Sequence, residues 1–345
     1  MAVAAQIERP RRYQVLEYRN SGTTVSLPRP LPTHHNGHMT AAHDSKPNFK
    51  RQSTAERPTR RLHASYDGPK IVLALGGGFA RGFAHLGILE ILEQEQIAIS
   101  AIVGTSIGGL LGAAYGDGIS LGDLCDLGRR VPLRDFLRFH RPEPGQGVRG
   151  KDRIGQFVQD WFRAGRLEDL PIPTAIVTTD LGTGAPYVFT RGPIEVALRA
   201  TCAFPGLCKP VEYDGRLLAD GCIVAPVPSA IAAALYGGCV LGVSVGSHTA
   251  SVPSSQEGRN TFDSAFHASR RKALEPSWSR HADILLEPQV EHIGWNDFTR
   301  VDEAFSAGAD AMRLALPSLR QLLARQSELP PAPDISLPNE EEVAQ

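Results

Sequence analysis

Twice in quick succession a short apolar run ends in a glycine turn that opens a helix. Ile71-Val-Leu-Ala-Leu75 runs into Gly76, Gly77 and Gly78, and Ala80–Gln94 then carries Phe83, Leu86, Leu89 and Leu92 at three-residue steps. Ile99–Val103 runs into Gly104-Thr105-Ser106-Ile107-Gly108 and a small-residue helix through Tyr115. Each pattern is that of a buried strand leaving a sheet. Further strands are predicted at Thr174–Thr179, Tyr187–Thr190, Leu217–Ala219, Cys239–Val245 and Ile284–Glu287, and helices at Arg153–Arg163, Ile194–Thr201, Pro228–Tyr236 and Val301–Leu323. Strand and helix alternate, which predicts an α/β layered fold on a largely parallel sheet.

The chain has 345 residues, 42% of them hydrophobic, enough for one large core or two modest ones. No apolar run approaches the roughly 18–20 residues of a membrane-spanning helix. Glu8, Glu17 and several arginines interrupt any secretory leader at the N-terminus. Cys125, Cys202, Cys208, Cys222 and Cys239 have neither CxxC spacing nor a compact disulfide framework. Free thiols in a reducing, cytoplasmic compartment follow as the expectation.

Charge is unevenly spread. Residues 1–69 hold 11 Lys and Arg against 5 Asp and Glu, so they carry +6 and leave −7 to the remainder of a chain whose net charge is −1. With its Pro-rich and polar pieces, 1–69 reads as a disordered basic arm, and Met39 offers an alternative start within it. The His34, His35, His38 and His43 cluster in that arm reads as incidental rather than as a metal site. Residues 70–325 read as the folded domain and 326–345 as a flexible acidic tail. The stretch Leu121–Gly150, irregular in Pro, Gly and Arg, is the candidate lid and pocket wall.

Gly104-Thr105-Ser106-Ile107-Gly108 has the G-x-S-x-G form, in which glycines allow a sharp strand-to-helix turn that lifts the serine hydroxyl to the sheet edge. The following amides open a helix and point at the same spot. Alone the pentapeptide is weak; its strand–turn–helix context strengthens it. Leu75–Gly82 is the second element. It lacks the Lys-Ser/Thr pair of a P-loop, and its glycine spacing does not suit a dinucleotide fold. What remains is a run of unencumbered amides beside a helix start, which stabilises negative charge on a phosphate or on an oxyanion. Asp220-Gly221, by itself, reads equally well as a turn.

Gly76-Gly-Gly-Phe-Ala-Arg-Gly82, Ala84-His-Leu-Gly-Ile-Leu89, Gly104–Gly108, Arg199-Ala-Thr-Cys-Ala-Phe-Pro-Gly206, Gly215-Arg-Leu-Leu-Ala-Asp-Gly221 and Trp295-Asn-Asp-Phe298 occur in that order. Together they resemble the patatin-like phospholipase family in its bacterial branch, over roughly Ile71 to Leu323. The resemblance implies a patatin-like three-layer α/β/α fold with a central, largely parallel sheet. It also implies a dyad, with Ser106 as nucleophile and Asp220 as general base. Gly76, Gly77 and Gly78 would supply the oxyanion hole, with Arg81, Gly104, Gly108 and Gly221 in support. A carboxylate serves as base to a serine only where it is partly desolvated, and Leu217-Leu218-Ala219 before Asp220 suits that. The implied reaction is hydrolysis of a phospholipid or other fatty-acyl ester, with transient peripheral membrane contact, no nucleic acid, no metal and no cofactor.

One departure stands out. An Asn-Asn pair often follows the family's Asp-Gly, whereas this chain continues Cys222-Ile-Val-Ala-Pro-Val-Pro228, losing side chains that brace the catalytic loop. Two other readings stay open. Ser106, Asp220 and His248 satisfy the chain order of a Ser-His-Asp esterase, with His140, His267, His281 and His292 also downstream of the serine. A regulatory protein that keeps the fold without the chemistry is the other. His85, on the first helix, reads as a packed structural residue.

Overall fold

The computed structural model describes residues 70–130, 153–205, 208–246 and 281–328. The basic arm, the acidic tail from 329 onward, positions 131–150 of the candidate lid, and His140, His248 and His267 lie outside these residues.

In chain order the elements are β1 (Lys70–Leu75), α1 (Ala84–Gln94), β2 (Ala98–Thr105), α2 (Ile107–Gly116), α3 (Leu121–Arg130), α4 (Arg153–Trp161), β3 (Thr174–Asp180), β4 (Pro186–Phe189), α5 (Ile194–Thr201), β5 (Val211–Tyr213), β6 (Arg216–Asp220), α6 (Ser229–Tyr236), β7 (Cys239–Val243), β8 (Ile284–Leu286) and α7 (Val301–Glu328). The strands form one mixed sheet in the order β5-β6-β3-β2-β1-β7-β8, with β4 also paired to β3. Pairings from β3 through β8 are parallel, while β4, β5 and β6 join antiparallel.

Alternation along β1 divides the core. Ile71, Leu73 and Leu75 face the larger layer, with α1, α2, α5 and α7. Val72 and Ala74 face the thinner layer, built on Ala225 and α6. Three layers follow from that two-residue period. In β2 the period slips where Ser100 bulges between the pairs Ile71–Ile99 and Val72–Ala101, and its hydroxyl donates to Ile71 O at 3.0 Å. The slip lets Ile99 and Ile102, three apart, share one face.

Some elements escaped the sequence reading. The helix expected from Ala80 begins as a 3-10 turn, Phe79–Phe83, and becomes α-helical only at Ala84. Leu121–Arg130 is a helix, started by Ser120, whose hydroxyl accepts from Asp123 N–H at 3.1 Å. The hairpin of β5 and β6 turns on Asp214-Gly215, both at positive φ (49° and 71°), as an Asp-Gly type I′ turn requires.

α1 and α7 touch backbone to backbone through Gly87 and Gly308. A Cβ at Gly308 would stand 1.9 Å from Ala84 O, and one at Gly87 would stand 1.9 Å from Phe305 O. Gly308→Ala is therefore expected to lower stability by about 2 kcal/mol in urea unfolding, because neither helix backbone can yield. Gly122→Ala in α3, where a Cβ meets nothing within 4 Å, should instead gain up to about 1 kcal/mol. Equal effects of the two substitutions would refute the close-crossing account.

Candidate active site

Register decides how two residues so far apart in the chain meet. β4 pairs with Ile176–Thr179 along one edge of β3. On the other edge β2 pairs as far as Thr105 with Val177, and β6 pairs from there on, its last residue Asp220 opposite Thr178. β2 and β6 thus abut end to end along β3, and the residues at their junction are Ser106 and Asp220. Ser106 Oγ–H donates to Asp220 Oδ2 at 2.7 Å. Both are buried, with Ser106 6% and Asp220 1% exposed.

Ser106 takes φ 55°, ψ −125°, an uncommon conformation for a residue with a side chain. Neighbouring contacts hold it there. Its N–H donates to Thr201 Oγ1 at 2.8 Å, and Thr201 Oγ1–H donates to Val177 O at 2.6 Å. Thr105 Oγ1–H ties the strand end to Ala225 O at 2.8 Å. The flanking glycines answer to close approach: a Cβ would stand 2.4 Å from Gly109 Cα at Gly104 and 2.3 Å from Leu75 O at Gly108.

Asp220 is fixed independently. Its N–H donates to Ala203 O at 3.0 Å, its O accepts from Thr179 Oγ1–H at 2.8 Å, and its Oδ1 accepts from Cys222 N–H at 2.8 Å. Asp220-Gly221 is therefore a turn whose carboxylate is aimed at Ser106, with Gly221 packed against Val177 O. The Cys222 amide braces this carboxylate, a donor that any residue but proline supplies. Burial pushes the Cys202 thiol well up and the Cys208 thiol to about 11, and the Asp220 charge adds to both. Near neutral pH they are thiols, unable to compete for the serine proton.

The glycine loop crosses directly over the serine. A Cβ at Gly77 would stand 3.1 Å from Ser106 Cβ and 2.1 Å from Cys222 Sγ. Its amides are not equivalent in their partners. Gly76 N–H donates to Val243 O at the end of β7 and Gly77 N–H to Pro226 O in the loop before α6, each at 3.0 Å. Gly78 N–H has no acceptor among the described residues, and Gly78 is partly exposed. Ile107 N–H, at the first position of α2, lacks an intrahelical acceptor for the usual reason. Gly76 O is held from behind by His85 Nε2–H at 2.8 Å. Arg81 lies off the dyad and straps the loop to the β8–α7 connection, with Nε donating to Ile293 O at 2.7 Å and Nη2 to Glu291 O at 3.3 Å.

Other histidines are placed elsewhere: His85 is on Gly76 O, His292 pairs with Glu303 at 2.6 Å, and His281 is exposed. Among the described residues no group of three His, Cys, Asp or Glu side chains is arranged to hold a metal ion, and no helix is long and apolar enough to cross a membrane. Thr201 and Thr179 were missed in the sequence. Thr201 lies inside the Arg199–Gly206 block, but a buried hydroxyl that bridges two strands leaves no local pattern.

Residues 73–233 match the model of the patatin-like phospholipase family. An uncharacterized NTE family protein of Mycobacterium tuberculosis is 37% identical over 178 residues, which cover 51% of this chain and 49% of that protein. Patatin-like phospholipase domain-containing protein 6 of Mus musculus is 30% identical over 210 residues, 58% of this chain and 15% of that protein. The matched part of the chain thus spans about half the length of the mycobacterial relative and far less of the mouse one. Among solved structures, VipD from Legionella pneumophila aligns over 73% of this chain and 67% of VipD, at 12% identity and a TM-score of 0.41.

Proposed function

We propose that this chain, patatin-like over residues 73–233, is a serine acyl hydrolase that cleaves fatty-acyl esters of the phospholipid or lysophospholipid kind with a Ser-Asp dyad. The observation that supports it best is the direct 2.7 Å bond from Ser106 Oγ to Asp220 Oδ2. Serine is a poor nucleophile until a base takes its proton, and here the acceptor is a carboxylate shielded from water. Ser106 Oγ attacks the acyl carbonyl carbon while its proton passes to Asp220 Oδ2. The oxyanion that forms is stabilised by the Gly78 amide of the glycine loop and the Ile107 amide at the start of α2. Collapse breaks the ester C–O bond, and the departing alkoxide takes the proton from Asp220. Water then attacks the acyl-enzyme, giving a proton to Asp220, and Asp220 returns that proton to the departing Ser106 Oγ as the fatty acid is released. Since amides and a helix start stabilise the oxyanion, the reaction needs no divalent cation.

The test is fatty-acid release from mixed phospholipid vesicles, and nitrophenol release from a short-chain nitrophenyl ester, both in EDTA. Hydrolysis is expected on both, and His248→Ala should retain activity within about twofold, because a dyad gives that histidine no proton to carry. Wild-type rates no higher than buffer would sink the proposal. A loss of about 10²-fold or more in His248→Ala would move it to a Ser-His-Asp esterase.

A further inference from the structure

We infer that Phe79, Phe204 and Trp295 form an aromatic subsite for the acyl chain of the ester cleaved at Ser106. The inference rests on the proposed reaction and assigns it a binding surface. Phe79 follows Gly78, whose amide is the free donor of the glycine loop. Its φ is 53°, in the left-handed region where a bulky side chain is an outlier and a glycine would be at ease. The loop therefore keeps a ring at a position where the backbone favours none.

That ring is held in place from two sides. Its centroid lies 5.4 Å from Phe204 at 68° and 5.2 Å from Trp295 at 65°, both edge-to-face. Ala80 N–H donates to Trp295 O at 3.0 Å, and the Arg81 guanidinium bonds the carbonyls of Ile293 and Glu291. The β8–α7 connection is thus tied to the glycine loop at Trp295 itself and at Ile293 and Glu291 just before it.

Phe204 arrives from the opposite direction. It follows Ala203, whose carbonyl accepts the N–H of Asp220. The three rings therefore bridge from the oxyanion side of the dyad to the base side. None is fully buried: Phe79 and Phe204 are half-buried and Trp295 is 42% exposed. Rings recruited only for the core would be covered, as Phe83 and Phe189 are. A partly open aromatic wall carried on the glycine loop and on the segment bonded to Asp220 offers dispersion contact and apolar area with almost no hydrogen-bonding capacity. Its chemical match is hydrocarbon rather than an anionic head group.

The test compares acetyl, butyryl, octanoyl and lauroyl nitrophenyl esters, kept monomeric, in wild type, Phe204→Ala, Trp295→Ala and Phe79→Gly. Phe79→Gly relieves the backbone strain and should fold. The octanoyl-to-acetyl ratio of kcat/KM is expected to fall about tenfold in each variant, mainly through KM. An unchanged ratio would overturn the inference, as would an effect confined to vesicle substrates, which would make the rings a membrane contact. Laurate titration of Trp295 fluorescence, with Trp295→Phe as the blank, decides the subsite even if no ester is cleaved. Quenching that saturates and disappears in Phe204→Ala is expected, and none at all refutes the subsite. Absence of any hydrolysis in wild type, by contrast, would refute the reaction.

Discussion

Asp220→Asn is expected to lower kcat on a short ester by about 10³–10⁴-fold, and Ser106→Ala to abolish turnover, with the fold intact in both. An asparagine still fills the site at the end of β6. Its carbonyl can accept the Cys222 N–H, and its amide remains within hydrogen-bond distance of Ser106 Oγ. What it cannot do is take the serine proton. The loss should fall on kcat with little change in KM, since neither atom is needed to hold the ester in place. Melting temperatures within a few degrees of wild type would show that the chemistry, not the fold, was lost. An Asp220→Asn protein retaining a tenth of wild-type kcat would mean that some other group acts as base.

How much of this was legible in the sequence depended on range. The strand–turn–helix around Ser106 is local, and its glycines and apolar runs announced it. Asp220 was legible only by resemblance, because its meeting with Ser106 depends on β2 and β6 sharing one edge of β3 from opposite directions. No periodicity records such a pairing. The Asp214-Gly215 turn that reverses the chain into β6 went unread, because its strands are too short to show alternation. That the glycine loop is a run of amides is legible locally, but the partners of those amides are not. Val243 O and Pro226 O, which accept from Gly76 and Gly77, are remote in sequence. α3 was missed because Gly122 and Gly128 depress its helical signal, although Ser120 caps it.

His85 carries the second large effect, and it concerns acid. The ring is fully buried, and burial holds its pKa down to about 4, with the Gly76 carbonyl drawing it slightly the other way. At neutral pH the neutral ring donates Nε2–H to Gly76 O, and Nδ1 has no partner among the described residues. Unfolding exposes the imidazole, whose ordinary pKa is 6.5. Above pH 6.5 neither state binds the proton and His85 makes stability independent of pH. As pH falls from 6.5 to 4 the unfolded chain takes up a proton that the folded chain refuses, so stability is lost. Below 4 both states are protonated and the loss levels off at about 3 kcal/mol. The removal can be isolated with His85→Gln, whose amide can still donate to Gly76 O but does not titrate. Urea unfolding at pH 7 and pH 4 should show wild type losing about 3 kcal/mol more than His85→Gln over that interval, the other titrating groups being common to both. A difference under about 1 kcal/mol would mean that the imidazole is reached by water in the folded chain. Gly76, and the loop it anchors over Ser106, would then lack the dry backing that the 2.8 Å contact implies.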